Sequence, residues 1–337
     1  MTRKTAGHGN AAGWGFGSLA MLALAVKAGW VIYSKKYIDH HAKVNLMLDA
    51  EHHTFESETV GKIKYYESKV ENKQTPILLI HGIHLFAGGH DMAPVFEAFS
   101  AYRKVYLIDL PGFGSSEKTD RPYRPWLYQA AISEFVRDLI GQPVHVVVMG
   151  RSAEFVAMAD EQDDNLFKSI VMINPSGMQM PGTGHISERK WWEQFRNLSL
   201  SYLKVPLWSL PFYDLLASRP GILDFYRKRF VYTPPSDLVD LAYTSSHQPG
   251  AHFAPILFYC GKLSVPDVRM RYYEKITKPV LVVFENDPGH KFDMLPMLVR
   301  EHSNWDAVRS NRTRGMPHFE NPGETFRNIE TFWKQHS

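Results

Sequence analysis

The most constraining feature of the sequence is an apolar run that ends abruptly in a glycine, an arginine and a serine. Residues 144–149 are mostly β-branched, and such runs are typical of strands buried on both faces of a parallel sheet. Gly150 permits a tight turn, and the sequence from Phe155 onwards can continue as a helix. The pattern therefore predicts a strand, a sharp turn that carries Ser152, and a helix.

Four further motifs surround this turn, and each follows a short apolar segment that is typical of a strand. The motifs lie within residues 76–82, 105–116, 279–288 and 315–322. Ser152, Asp287 and His318 thus follow one another along the chain, each just past a predicted strand. This order resembles the α/β-hydrolase superfamily, and the resemblance covers roughly residues 60–335. In that family the turn with the serine is the nucleophile elbow, usually G-x-S-x-G.

The resemblance implies an α/β fold with a mostly parallel central sheet and helices on both faces. Residues 59–179 and 276–337 are assigned to this core. The intervening residues 180–275 are rich in aromatic side chains and punctuated by prolines, which favours short helices over a sheet. In the superfamily an insertion at this place forms a helical cap over the active site, so we expect a cap here. Its aromatic residues could form its own small core or line an acyl pocket.

The resemblance also implies a catalytic triad. A serine hydroxyl is a weak nucleophile and needs a base within hydrogen-bonding distance; Ser152 is the candidate nucleophile and His318 the candidate base. An acid must orient the imidazole and stabilise its cation, and Asp287 occupies the family's position for it. Glu285 and Asp293 are the fallback acids. Ser152 as an ordinary helix N-cap is the alternative interpretation.

Hydrolysis of a carbonyl compound also requires two donors directed at the oxyanion. By the same resemblance, these are the backbone N–H groups of Ile83 and Ala153. The chain departs from the family pattern at Glu154, which replaces the second glycine of the elbow. A carboxylate there could simply favour the helix dipole, or it could contact the active site. Both interpretations stay open at this point.

Composition excludes several other classes of protein. The net charge is only +3 and the sequence contains no basic stripe, so a nucleic-acid partner is not expected. Cys260 is the only cysteine, which rules out an intrachain disulfide.

His81, His84 and His90 could be imagined as metal ligands, but the His-Gly loop after the first core strand explains them better. We therefore expect neither a metal nor another cofactor.

The N-terminal region predicts a membrane anchor in residues 1–36. The stretch 11–33 is apolar except for Lys27 and a few small residues. As a helix it would span about 35 Å, compared with roughly 30 Å of bilayer hydrocarbon. A signal peptide and a buried helix are the alternatives. Residues 37–58 are assigned to a juxtamembrane spacer, and the flanking charges leave the orientation across the membrane open.

These observations predict a single-pass membrane-anchored serine hydrolase that cleaves an ester or thioester with an apolar acyl group. The anchor and the aromatic cap point to a lipid-like substrate. Dehalogenase and epoxide-hydrolase chemistry would need a carboxylate at the position of Ser152. Hydrolysis of a C–C bond stays open, because related enzymes use the same three residue types. A non-catalytic binding or scaffold protein that kept the fold is the alternative from another class.

Overall fold

The computed structural model describes residues 11–46, 48–180, 203, 205–285 and 289–336. For residues 11–20, 22, 23 and 206 it describes the backbone only. Asp287 and most of the first part of the predicted cap therefore lie outside the described residues.

The core is one eight-stranded sheet in the order β1-β2-β4-β3-β5-β6-β7-β8. The strands β1 and β2 are antiparallel to their neighbours, and every pairing from β4 to β8 is parallel. This confirms the prediction of a mostly parallel sheet. The strands are β1 (Glu51–Ser57), β2 (Gly61–Glu67), β3 (Ile77–Ile80), β4 (Val105–Ile108), β5 (Val144–Met149), β6 (Phe167–Ile173), β7 (Val280–Phe284) and β8 (Trp305–Arg309).

The helices either flank this sheet or lie in the insertion between β6 and β7. They are α1 (Ala11–Tyr37), α2 (Ala93–Ser100), α3 (Pro125–Glu134), α4 (Ser152–Gln162), α5 (Pro206–Leu216), α6 (Arg219–Arg227), α7 (Ser236–Ser246), α8 (Phe253–Tyr259), α9 (Val268–Arg271), α10 (Leu295–Glu301), α11 (Pro317–Glu320) and α12 (Pro322–Gln335). A π-helical turn, Phe135–Ile140, continues α3, and single 3₁₀ turns cover Gly89–Met92 and Tyr273–Lys275.

Alternating side chains of the central strands face opposite layers, as the pleat of a strand requires. In β3, Leu78 and Ile80 join a buried cluster that also contains apolar residues of α3 and α4. Ile77 and Leu79 join a second cluster with residues of α2 and α12. The sheet is therefore covered by helices on both faces, which explains why its central strands are apolar on both sides.

The predicted cap, residues 180–275, contains the five helices α5 to α9 in its described part. Prolines lie at or near the starts of α5 and α6, where a missing N–H costs nothing. Pro211 lies inside α5.

The helix α1 lies against the cap. The indole nitrogen of Trp30 donates to the carbonyl of Pro211 at 2.6 Å, and the Ser34 hydroxyl donates to Asp214 at 2.5 Å. His40, just beyond the helix, also contacts the Asp214 carboxylate. Within the part of the chain that the structure describes, no helix combines the length and the apolar character needed to cross a bilayer.

The strand β1 lies inside residues 37–58, the segment that the sequence analysis assigned to a spacer. It pairs along its length with β2 and forms one edge of the sheet. Most of its side chains are exposed or half-buried. The core therefore begins earlier than predicted, because an exposed edge strand does not need the apolar pattern that identifies a buried one.

Candidate active site

Ser152 lies between β5 and α4, as the sequence predicts. The strand ends at Met149, Gly150 takes up the turn with a φ of 59°, and Ser152 is the first residue of the helix. Among the described residues other than glycine, positive φ values occur only at Asn174, Asp267 and Arg312. The left-handed conformation of the turn is therefore carried by the glycine and not by the serine.

The side chain of Ser152 is fully buried. Its hydroxyl donates to the backbone carbonyl of His81, at 2.6 Å. His81 follows β3, and its ring accepts a hydrogen bond from the N–H of Leu110 at 3.0 Å. The carbonyl at the start of the His-Gly loop thus holds the serine oxygen in place.

His318 is also fully buried, in the short helix α11. Its Nε2 donates to the carbonyl of Asp91 at 2.6 Å. Burial lowers the pKa of His318 to about 4, against smaller opposite effects of Asp91. The imidazole is therefore neutral near pH 7, the state that a general base requires.

One segment, residues 81–91, holds both candidate residues. The carbonyl of His81 at its start accepts from Ser152, and the carbonyl of Asp91 at its end accepts from His318. Both residues lie in the part of the chain that the structure describes, and no hydrogen bond joins Ser152 to His318 there. Proton transfer from the serine would need its hydroxyl to leave the carbonyl of His81 and the imidazole to leave the carbonyl of Asp91.

The candidate acid Asp287 lies outside the described residues, so its role stays a prediction. Glu285, which precedes that segment, is buried and accepts a hydrogen bond from Asn174 at 3.1 Å. Asn174 also donates to the carbonyl of Gly315, in the loop that leads to α11. Asp293, by contrast, is exposed. Of the two fallback acids, only Glu285 is thus connected to the segment that carries His318.

The two candidate oxyanion donors, Ile83 and Ala153, are both buried. The N–H of Ala153 contacts the carbonyl of Gly150 at 3.4 Å, longer than an ordinary N–H···O hydrogen bond. This donor is therefore only weakly engaged within the turn.

A buried carboxylate that the sequence analysis did not single out lies beside His318. Asp91 accepts from His84 Nε2 at 2.8 Å and from the hydroxyl of Tyr226, in cap helix α6, at 3.0 Å. Burial alone would raise the pKa of Asp91, but His84 and His90 hold it well below its usual range. Because chain order placed Asp91 before the serine, no triad pattern could have revealed it.

The other nitrogen of His84 is also engaged, since Nδ1 accepts from the N–H of Phe86 at 3.2 Å. With Nε2 donating to Asp91, His84 has no lone pair left for a serine proton. The ring stacks on Phe225 of the cap at a centroid distance of 4.7 Å. His84 therefore links the His-Gly loop to the cap and does not substitute for His318 as the base. Among the described residues, no group of histidine, cysteine and acidic side chains is arranged to hold a metal ion.

Asp109 has a structural role. Its carboxylate accepts from the N–H groups of Gly89 at 2.6 Å and Ser115 at 2.8 Å. These bonds hold the loop after β4 against the His-Gly loop, at the carboxyl ends of the strands, where Ser152 also lies.

Glu154 is buried and corresponds to neither simple interpretation of the sequence. Its carboxylate accepts from Arg151 at 3.1 Å, from the Ser176 hydroxyl, and from the N–H of Val265 at 2.6 Å. Burial raises the pKa of Glu154, while Arg151, Ser176 and Val265 act in the opposite direction. Its described partners connect different parts of the chain, so helix-dipole stabilisation alone does not account for it.

Comparison with known proteins identifies the class. Residues 77–328 match the model of the alpha/beta hydrolase family, and the chain belongs to that family. No curated protein matches the sequence.

Solved structures share the fold at low sequence identity. A membrane phospholipase A described as a bacterial virulence factor superposes with a TM-score of 0.65 at 18% identity, covering 96% of this chain and 98% of that one. A serine hydrolase involved in carbazole degradation gives a TM-score of 0.63 at 14% identity, covering 85% and 99%. E-2-(acetamidomethylene)succinate hydrolase gives 0.59 at 16% identity, covering 85% and 99%. At these identities the similarity concerns the fold.

Proposed function

We propose that the protein is a serine hydrolase that cleaves an ester or thioester with an apolar acyl group, with Ser152 as nucleophile, His318 as base and Asp287 as acid. The observation that carries the proposal is the placement of the serine and the histidine. Ser152 lies on the turn between β5 and α4, His318 is buried and neutral, and one loop, from His81 to Asp91, contacts both.

The reaction would proceed in two steps. His318 accepts the proton as Ser152 Oγ attacks the acyl carbon, and returns it to the departing alcohol or thiol, which leaves an acyl-enzyme. Water then attacks the acyl-enzyme with the same base and releases the carboxylic acid. The N–H groups of Ile83 and Ala153 would stabilise the oxyanion in both steps.

Substrate access requires the cap to move, because Ser152 and His318 are both buried. Cap helix α6 touches the site through the contacts of Phe225 with His84 and of Tyr226 with Asp91. Release of these contacts would open the region beside His318. The ring of Phe225, stacked on His84 beside this region, would favour an apolar acyl group over a charged one.

Attachment to a membrane through residues 1–36 is part of the proposal. Large apolar side chains of α1 are exposed, namely Met21, Leu24, Val26 and Ile32, and a bilayer would cover them. Carbonate washing of membranes tests this, with a chain that lacks residues 1–36 as the comparison. We expect the full-length protein to stay in the membrane fraction; its release by carbonate would contradict an anchor.

A fluorophosphonate probe tests the catalytic assignment directly. We expect Ser152→Ala to abolish labelling and ester turnover while circular dichroism shows an intact fold. Ser133→Ala, at a buried serine of α3 that bonds to Gln129, is the matched control and should still be labelled. Undiminished labelling of Ser152→Ala would contradict the nucleophile, and an unlabelled wild-type protein would favour a non-catalytic binding protein.

The acid can be assigned by comparing Asp287→Asn with Glu285→Gln. Removal of the group that holds the imidazole typically costs around 10⁴-fold in kcat. We expect that loss in Asp287→Asn and a much smaller one in Glu285→Gln, measured as kcat on a soluble ester. The reverse order would make Glu285 the acid.

A further inference from the structure

A buried carboxylate lies two residues from the proposed nucleophile and has no part in the proposed reaction. Glu154 is in the first turn of α4 and is almost fully buried. A buried carboxylate is costly unless hydrogen bonds and opposite charge compensate for it. Its partners therefore indicate what the side chain does.

Three donors surround the Glu154 carboxylate, and both of its oxygens are engaged. Oε1 accepts from the Ser176 hydroxyl and from Arg151 Nη1 at 3.1 Å. Oε2 accepts from the N–H of Val265 at 2.6 Å. Hydrogen bonds to an ionised group are shorter and stronger than neutral ones.

The donors Ser176 and Val265 lie at the two ends of the cap: Ser176 is in the segment that leads into it, and Val265 is in its last part, between α8 and α9. Ser176 follows β6, where the chain leaves the sheet, and Val265 lies just before α9, where the chain returns towards β7. One carboxylate on the nucleophile helix thus bonds to the departing and the returning segment together.

Other contacts hold the same two segments together. The hydroxyl of Tyr273 donates to the carbonyl of Ser176 at 3.1 Å. Gly177 has a φ of 84°, and a Cβ at this position would lie 2.2 Å from Val268 Cγ1, so only glycine fits there. The guanidinium of Arg151 also lies over the ring of Phe258 in cap helix α8, 5.7 Å from its centroid.

We propose that Glu154 is a positioning residue, which attaches both ends of the cap to the turn carrying Ser152 and thereby holds the cap where a long acyl chain contacts it. The inference rests on the proposed function of Ser152. A short acyl group would contact only the surroundings of the serine, whereas a long one would extend to the cap. Displacement of the cap therefore affects long substrates more than short ones.

Kinetics on p-nitrophenyl acetate and p-nitrophenyl octanoate test the proposal. In Glu154→Ala, we expect kcat/KM for the octanoate to fall about tenfold more than for the acetate, mainly through KM; this corresponds to about 1.4 kcal/mol. In Glu154→Gln the amide oxygen can still accept from Val265 N–H and the amide group can donate to Ser176. This conservative variant should recover most of the selectivity for the long chain.

Two further variants provide controls. Glu161→Gln removes an exposed carboxylate of the same helix, paired with Lys275 at 2.6 Å, and should leave the ratio of the two substrates unchanged. Ser176→Ala removes only one donor to Glu154, and should shift the ratio in the same direction by a smaller factor. It also keeps the test available if Glu154→Ala does not fold.

A merely structural role would lower the rates for both esters by the same factor in Glu154→Ala, and that result would overturn the proposal. Hydrogen exchange supplies a readout that does not depend on activity: uptake in residues 206–271 should rise in Glu154→Ala, with β5 and α12 unchanged. Unchanged uptake in the cap would also overturn it. A wild-type protein without esterase activity would refute the proposed function, and exchange would still decide whether Glu154 holds the cap.

Discussion

Two buried carboxylates connect the cap to the core, and their surroundings differ. Asp91 lies beside His318 and is bonded to His84 and to Tyr226 of the cap. Glu154 lies beside Ser152 and is bonded to Arg151 and to segments at both ends of the cap. One attachment is therefore on the histidine side of the site and the other on the serine side.

The pKa values of the two carboxylates are shifted in opposite directions. Neighbouring histidines more than offset the burial of Asp91 and lower its pKa, whereas burial dominates at Glu154 and raises its pKa. The Asp91 attachment engages a cap helix through one side chain, and the Glu154 attachment engages both ends of the cap. The two attachments therefore differ in the direction of the carboxylate's pKa shift and in the number of segments that they contact.

The largest expected effect is that of Asp91→Ala. The substitution leaves the buried donors of His84 and Tyr226 without their acceptor, and each unsatisfied buried donor typically costs about 1–3 kcal/mol. We expect a loss of that order in the free energy of unfolding, measured by urea denaturation. Asp224→Asn is the control, since this carboxylate of α6 is largely exposed beside Lys228 and should change stability by less than about 1 kcal/mol. Equal effects of the two variants would mean that the Asp91 attachment contributes little.

Tyr226→Phe and Ser176→Ala compare single bonds in the two attachments. Each removes one hydroxyl that donates to a buried carboxylate, and such bonds contribute about 1.5–3 kcal/mol. Tyr226→Phe should be the more destabilising, because Asp91 keeps one short side-chain bond, to His84, while Glu154 keeps two donors. Thermal unfolding of the two variants measures the difference, and the opposite order would reverse our ranking of the attachments.

Acidification should loosen the Asp91 side before the Glu154 side. Burial lowers the pKa of His318 from 6.5 to about 4, and it also lowers the pKa of His81 and His90. Stability from these neutral imidazoles is fully present above pH 6.5 and is lost as the pH falls towards the folded-state values. Glu154 has the opposite pH dependence. Because its pKa is raised, the stability that it contributes is present below its ordinary pKa of 4.5 and is lost as the pH rises.

Hydrogen exchange between pH 7 and pH 4.5, corrected for the intrinsic rate, checks this order. Uptake should increase first in segments 84–92 and 222–230, before segments 174–180 and 262–268. The effect should be smaller than that of Asp91→Ala, because only part of the histidine population is protonated in this range. Simultaneous loosening of all four segments would contradict a separate response of the two attachments.

The sequence alone predicts the parts of the fold that depend on local pattern. The apolar runs identify β3, β5 and β7 because strands buried on both faces must be apolar throughout. The order of Ser152, the acidic segment and His318 identifies the family that the comparison then shows. The exposed edge strand β1 escapes this reasoning, since its polar side chains resemble those of a loop.

Only the tertiary structure decides which side chains meet. Asp91 and Tyr226 are 135 residues apart, and Glu154 and Val265 are 111 apart, so no spacing in the sequence could pair them. Sequence pattern determined the strands, the turn at Ser152 and the family, because these follow from burial and chain order. The fold decided that one loop holds both Ser152 and His318 and that two buried carboxylates attach the cap, because long-range contacts arise only when the sheet brings distant segments together.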